Sequence, residues 1–195
     1  MLKIRFFLLG AFLFASVSSF AQLQGVFGLK VGASSSKTAQ EGVTPYISRY
    51  KTAFHLGGIY RLRYHRFVAQ PEFLLSVKGG TFKRLGTNPQ TIRNNYNYLS
   101  LPLLLGWVPT EGLVLQAGPE FSYALDTPNG PGKKQDTGIA IGAHYDFLDM
   151  ADQFSLHLRY IYGLNNVSSN PIVEYYNRTF QVSVVYNFYK KGKKK

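Results

Sequence analysis

Residues 154–164 read Phe154-Ser155-Leu156-His157-Leu158-Arg159-Tyr160-Ile161-Tyr162-Gly163-Leu164. Phe154, Leu156, Leu158, Tyr160 and Tyr162 fall on one parity, and Ser155, His157 and Arg159 on the other. A period of two is the signature of a strand with two unlike faces, because successive side chains leave the pleat on opposite sides. No helical spacing competes with it. One face is apolar and aromatic, the other carries Ser, His and Arg.

The same alternation recurs on both sides of this stretch. Upstream, strands are predicted near Gly25–Ser34, Ala53–Tyr64, Phe67–Gly80, Tyr96–Trp107, Leu113–Ala124 and Thr137–Phe147; downstream, a last one runs near Thr179–Phe188. Each is about ten residues, the length a tilted strand needs to cross a hydrocarbon core. The apolar parities hold residues such as Phe27, Leu29, Phe73, Leu75, Leu103, Leu105, Ile139, Ile141, Val182 and Val184. The opposite parities hold Lys30, His55, Arg61, Gln70, Glu72, Lys78, Gln116, Glu120, His144 and Asp146.

The connections decide between architectures. Those at His65-Arg66, Val108–Gly112 and Leu148–Gln153 are short, whereas Ser35–Lys51, Thr81–Asn95, Asp126–Asp136 and Asn165–Arg178 are long and polar. Short and long alternate strictly, which puts every long loop on one rim and every short turn on the other. Outer-membrane barrels have this asymmetry, with short periplasmic turns and long outside loops. The fold expected is all-β: an eight-stranded antiparallel up-and-down transmembrane β-barrel, long loops outside and both termini periplasmic. Alternation alone also suits a soluble barrel with its apolar face inward. A lumen eight strands wide is better filled by Gly and a few hydrogen-bonded polar groups than by rows of Phe and Tyr, so the apolar face is expected outward.

The first residues agree. Lys3 and Arg5 precede an apolar run from Phe6 to Val17, followed by Ser19-Phe20-Ala21. That is the order of a secretory leader, predicted to be cleaved after Ala21. A run of roughly twelve apolar residues is too short to span as a helix, which needs about twenty. The chain therefore divides into a signal peptide, 1–21, an outer-membrane β-barrel, 22–189, and a basic tail, 190–195. The longest later apolar stretch, Tyr98 to Val108, is short and carries Pro102. With no cysteine in the chain, disulfides and thiolate chemistry are excluded.

The net charge is +12, or +10 once Lys3 and Arg5 leave with the leader. A basic balance suits nucleic acid or an anionic surface. Secretion argues against nucleic acid and toward outer-membrane lipids and lipopolysaccharide. Lys37, Arg49, Lys51, Lys83, Arg84, Arg93, Lys133, Lys134 and Arg178 fall on the predicted outer loops, against Glu41, Asp126, Asp136 and Glu174. Such a rim fits lipopolysaccharide phosphates or an acidic partner, and equally a solvated loop with neither.

Inside the barrel, Glu72, Glu120 and Arg159 count to similar mid-barrel heights from the short-turn rim. Arg61 should face Gln70 and lie diagonal to Glu72. Isolated charges in a narrow lumen are costly, so these groups are expected to pair. Arg61, Glu72, Glu120 and Arg159, with His157 and Gln116, are read as a charge network that plugs the lumen. No catalytic, cofactor or metal site is expected: Gly-x-Ser-x-Gly and His-Glu-x-x-His are both missing. His144 and His157 lie within the barrel, while His55 is expected near the rim beside Ser48.

These residues resemble the PorT-like outer-membrane β-barrel domain proteins over nearly the whole mature chain. The resemblance lies in Gly25–Gly32, Tyr98–Leu105, Leu115–Glu120, Arg159–Leu164 and Phe180–Phe188. The last strand is similar to the signal that barrel-assembly machinery reads, with Gln181, Tyr186 and Phe188 in place and Ser183 in the slot usually held by Gly. Tyr189 and Lys190–Lys195 follow where that signal normally ends. The resemblance implies the fold and the assembly machinery as a partner. Its namesake is associated with secretion across the outer membrane, but many relatives have no assigned task. The function expected is thus a non-enzymatic structural or interaction module, accessory to secretion or envelope assembly, with envelope protein partners open. The alternatives are a narrow solute channel and a rim-located lipid-acting or proteolytic enzyme.

Overall fold

The computed structural model describes residues 24–42, 46–84, 89–125, 132–147, 153–169 and 172–188. The predicted signal peptide and the basic tail lie outside the described residues. The strands are β1 (Gln24–Glu41), β2 (Tyr46–Arg49), β3 (Lys51–Tyr64), β4 (Phe67–Arg84), β5 (Thr91–Thr110), β6 (Leu113–Ala124), β7 (Gln135–Asp146), β8 (Phe154–Gly163) and β9 (Glu174–Phe188).

Eight of them close a ring in the order β1, β3, β4, β5, β6, β7, β8, β9 and back to β1, every pair antiparallel. Closure removes the unpaired edges that lipid could not solvate. The short β2 is a ninth element outside the ring. It pairs Tyr46 with Arg84 and Arg49 with Thr81, taking over from β3 as the neighbour of β4. Gly79 on β4, at φ 117°, supplies the left-handed kink where that handover occurs.

The strands are longer than the ten or so residues expected. β1 and β4 have 18 residues and β5 has 20. The extra length lies almost wholly on the long-loop rim, so most of Ser35–Lys51 and Thr81–Asn95 is strand rather than loop. Alternation of apolar and polar residues fades there because neither face meets hydrocarbon, and pairing continues without it.

The apolar face points outward. Phe27, Phe54, Phe67, Leu105 and Ile141 are all exposed, while Lys30, Glu72, Lys78, Glu120, His144, His157 and Arg159 are buried inside. Outward on β4 stand Phe67, Ala69, Pro71, Phe73, Leu75 and Val77. At about 3.3 Å per residue and a tilt near 40°, that row rises about 25 Å, the height of an outer-membrane apolar band. Tyr64, Phe67, Trp107, Tyr145 and Phe154 stand exposed at its short-turn edge, and Tyr123 and Tyr162 at the other. On the short-turn rim, His65 (φ 53°) turns β3 into β4, and Gly112 (φ 80°) turns β5 into β6.

Candidate functional site

The lumen is filled in tiers, and each tier is tied by a contact between strands on opposite sides of the ring. Nearest the short-turn rim, Arg61 on β3 donates through Nη1 to both carboxylate oxygens of Asp146 on β7, at 2.9 and 3.1 Å. Asp146 also accepts from Ser155 Oγ at 2.6 Å, and Asn187 donates to Ser155 at 2.7 Å. His144 and His157 stack beside this pair with ring centroids 4.5 Å apart, and Arg61 Nη2 lies 3.4 Å from His157 Nε2.

In the middle tier Glu72 on β4 takes both prongs of Arg159 on β8, at 2.8 and 2.6 Å. Lys30 Nζ adds a contact at 3.1 Å, and Gln70 donates to Glu72 at 2.6 Å. Gln70 in turn accepts from Arg61 Nε at 3.0 Å, which links the two tiers. Gly142, the register partner of Arg159 on β7, lets the two strands approach closely here: a Cβ there would press into the Leu158 backbone carbonyl oxygen and sit 3.0 Å from the Arg159 Cα.

In the third tier Lys78 lies 2.9 Å from Glu120 and 3.3 Å from Asp136 and donates to Ser122 at 2.9 Å. Asn177 on β9 donates to Asp136 at 2.9 Å and reaches the Tyr98 hydroxyl on β5, across the ring, at 3.4 Å. Above it the interior turns aromatic and apolar. Tyr96 and Phe82 are buried, Phe82 lies 5.7 Å from Tyr175, and the segment after β8 folds inward with Val167, Ser168 and Val173 buried. Asn166 Oδ1 holds that segment by accepting from the backbone of Ser168 and Tyr175.

Lys30, Arg61, Lys78 and Arg159 thus oppose Glu72, Glu120, Asp136 and Asp146, four charges of each sign. The network read from sequence is brought together in part. Arg61, Glu72 and Arg159 are joined, and His157 lies against Arg61. Glu120 pairs with Lys78 in the tier above rather than with Arg159, and Gln116 makes no hydrogen bond among the described residues. Asp136, assigned to an outer loop, is a buried residue of β7. Lys30, Lys78 and Asp146 already stood on the inward parity; what the sequence lacked was the cross-lumen geometry that makes them partners.

His55 is not near the rim beside Ser48. It is buried in the lumen and bridges Ser34 Oγ, at 2.8 Å, and Ser183 Oγ, at 2.7 Å. Ser183 therefore fills the usual glycine slot of the closing strand with a hydroxyl that faces a lumenal histidine. Gln181 is buried beside it, Phe188 points outward, and Tyr186 packs edge-on against Phe154 at 5.3 Å and Phe188 at 5.1 Å. Among the described residues no group of three His, Asp or Glu is placed to hold a metal ion.

A closed, apolar-out, eight-stranded ring with a charge-balanced interior meets its match in one family pattern. Residues 20–169 fit the outer membrane protein beta-barrel domain. The chain belongs to that family. The match covers the ring from β1 through β8 and stops short of β9. Among solved structures, the outer membrane protein OprG from Pseudomonas aeruginosa is similar at 12% identity and a TM-score of 0.57, covering 85% of this chain and 97% of that one. Ail, the attachment invasion locus protein of Yersinia pestis, is similar at 14% identity and a TM-score of 0.47, covering 85% of this chain and 99% of that one. The likeness to OprG shows the barrel fold of the family member described here and nothing of its task. No curated protein matches the sequence.

Proposed function

We propose that this outer-membrane barrel is a sealed, non-enzymatic module that works through its surfaces rather than through its lumen. The observation that carries the reading is the tiered interior: opposite walls are tied by Arg61–Asp146, Glu72–Arg159 and Asn177–Tyr98 at successive levels. A conduction path would have to break buried ion pairs at more than one height, each costly because its partner is left uncompensated. In this reading the long-loop rim faces outside and both termini face the periplasm. Its partners are outer-membrane lipids and lipopolysaccharide, barrel-assembly machinery reading the Gln181–Phe188 strand, and proteins of the envelope. Within the family we place it with the PorT-like members on the motifs of β1, β5, β6, β8 and β9. An accessory role in secretion or envelope assembly follows from that placement alone.

The test is planar-bilayer recording of the purified mature protein. The sealed barrel gives no steady conductance steps in molar salt. Regular small steps would overturn the reading in favour of a narrow channel.

A further inference from the structure

Between Glu41 and Glu111 the chain holds one acid, Glu72, and it is spent inside the lumen. The upper parts of β2 to β5 therefore carry cations with nothing of opposite sign on the same stretch of chain. The register sets them side by side. Thr81 on β4 pairs with Arg49 of β2 on one side and with Arg93 of β5 on the other, so the two guanidinium groups flank it on one face. Two residues further up, Lys83 pairs with Ile47 and Thr91 in the next row. Lys51, at the head of β3, pairs with the buried Ser36 and so stands on the inward parity, apart from this row. Lys37 on β1 leans over the exposed Tyr50 ring at 5.0 Å and extends the group toward β1.

None of Arg49, Lys83 and Arg93 makes an ion pair among the described residues. Like charges in neighbouring strand positions are destabilising unless something anionic lies between them. The height is specific as well. The outward apolar row on β4 ends at Val77, and Thr81 stands four residues on. At about 3.3 Å per residue and a tilt near 40°, that is about 10 Å above the hydrocarbon edge. Lys and Arg side chains reach back toward that edge with charged heads uppermost. This is the level of lipid phosphates and the sugars that carry them, and Arg forks fit phosphate oxygens in pairs.

We infer that Arg49, Lys83 and Arg93 form a ledge on the outer face of the barrel that binds the phosphates of a phosphorylated glycolipid of the outer leaflet. The assignment rests on the outward orientation of the long-loop rim. Lipid is the occupant because the ledge continues directly onto the apolar wall of Phe73, Leu75, Leu99 and Leu101, which receives acyl chains.

The experiment measures binding of fluorescent bisphosphorylated lipid A to the purified mature protein in neutral detergent. Monophosphorylated lipid A, phosphatidylcholine and inorganic phosphate serve as comparison arms. The wild type should prefer bisphosphorylated lipid A. The variant Arg49→Gln, Lys83→Gln, Arg93→Gln should bind it at least about tenfold more weakly and keep its heat-modifiable gel shift. Arg63→Gln with Arg66→Gln, on the opposite rim, should leave binding unchanged. Should the threefold variant fail to fold, Thr81→Glu decides, since it sets a carboxylate between Arg49 and Arg93 and should weaken binding as much. Equal binding by wild type and variant overturns the ledge, as does no preference over phosphatidylcholine. Displacement by millimolar inorganic phosphate overturns lipid as the occupant. An impermeant maleimide on intact cells carrying Gln90→Cys reports the orientation separately, and bilayer recording reports the seal, so failure of either is not mistaken for failure of the ledge.

Discussion

Arg159 and Glu72 face one another across the full width of the barrel, from strands four places apart in a ring of eight, and meet through two hydrogen bonds of 2.8 and 2.6 Å. Lys30 shares the same carboxylate at 3.1 Å. All three side chains are buried. A fork-to-carboxylate contact spanning the lumen fixes the distance between opposite walls as well as neutralising charge. It ties the two halves of the ring to each other independently of the backbone ladder.

Removing one member of this triad should therefore be far worse than removing all of it. Glu72→Ala leaves two buried cations facing each other and should cost roughly 3–5 kcal/mol. The combined replacement Lys30→Met, Glu72→Met, Arg159→Met with Glu120→Gln removes two charges of each sign, leaves Lys78 to Asp136 and Arg61 to Asp146, and should fall within about 1–2 kcal/mol of wild type, or above it. Urea titration in phospholipid vesicles, with the gel shift as readout, compares them. A charge-balanced combination as unstable as Glu72→Ala would refute the argument.

Two glycines on the same barrel should respond oppositely to alanine. Gly142 faces inward under Arg159, where a Cβ would press into the Leu158 backbone carbonyl oxygen and lie 3.0 Å from the Arg159 Cα. Gly58 faces outward, and the nearest atom to its Cβ would be the Gly28 carbonyl oxygen at 3.9 Å. Gly142→Ala should cost about 1–3 kcal/mol through overpacking, whereas Gly58→Ala should be neutral or stabilising by about 0.5–1 kcal/mol. The same urea titration reads both.

The depth of the wall is testable with charge. Phe73 stands exposed at the middle of the outward row on β4, and Thr81 lies beyond its upper end. Phe73→Arg should cost about 2–4 kcal/mol in a bilayer, and Thr81→Arg about 0–1 kcal/mol. Equal costs would mean that the apolar row does not lie in hydrocarbon.

The outward face, the strand order and the sorting of loops by rim were legible because hydrocarbon on one side and polar packing on the other impose a strict period of two. Leu99, Leu101, Leu103 and Leu105 show it even where Leu104 sits on the inward parity. The strand ends were not legible above the band. Ser35-Ser36-Lys37-Thr38, Asn94-Asn95 and Asn177-Arg178 are polar on both parities, so nothing in their pattern separates a loop from a paired strand. Asp136 was misplaced for that reason. The partners inside the lumen were half legible. Arg61 opposite Gln70 follows from a two-residue turn, but Lys78 with Glu120, and Arg61 with Asp146, depend on the stagger and width of the closed ring, which no single strand encodes.

The tiers act in series, so no single level should control conduction. Alanine at Arg61, Glu72, Asp146 and Arg159 removes two charges of each sign and the cross-lumen struts of the two lower tiers, while Lys30 and Lys78 still balance Glu120 and Asp136. Tyr98 and the Lys78 tier remain above, with the inward segment around Val167 beyond them. That fourfold variant should fold, keep its heat shift and stay silent in planar bilayers. Adding Lys78→Ala, Asp136→Ala and Tyr98→Ala removes the third tier, and replacing residues 165–173 by a short Gly-Ser link removes the cap. Conductance should appear only when lower tiers, third tier and cap are absent together. A fourfold variant that already conducts would show that the lower tiers alone seal the barrel. A silent full combination would mean that the walls close in when their struts are removed, with the network holding the lumen open rather than blocking it.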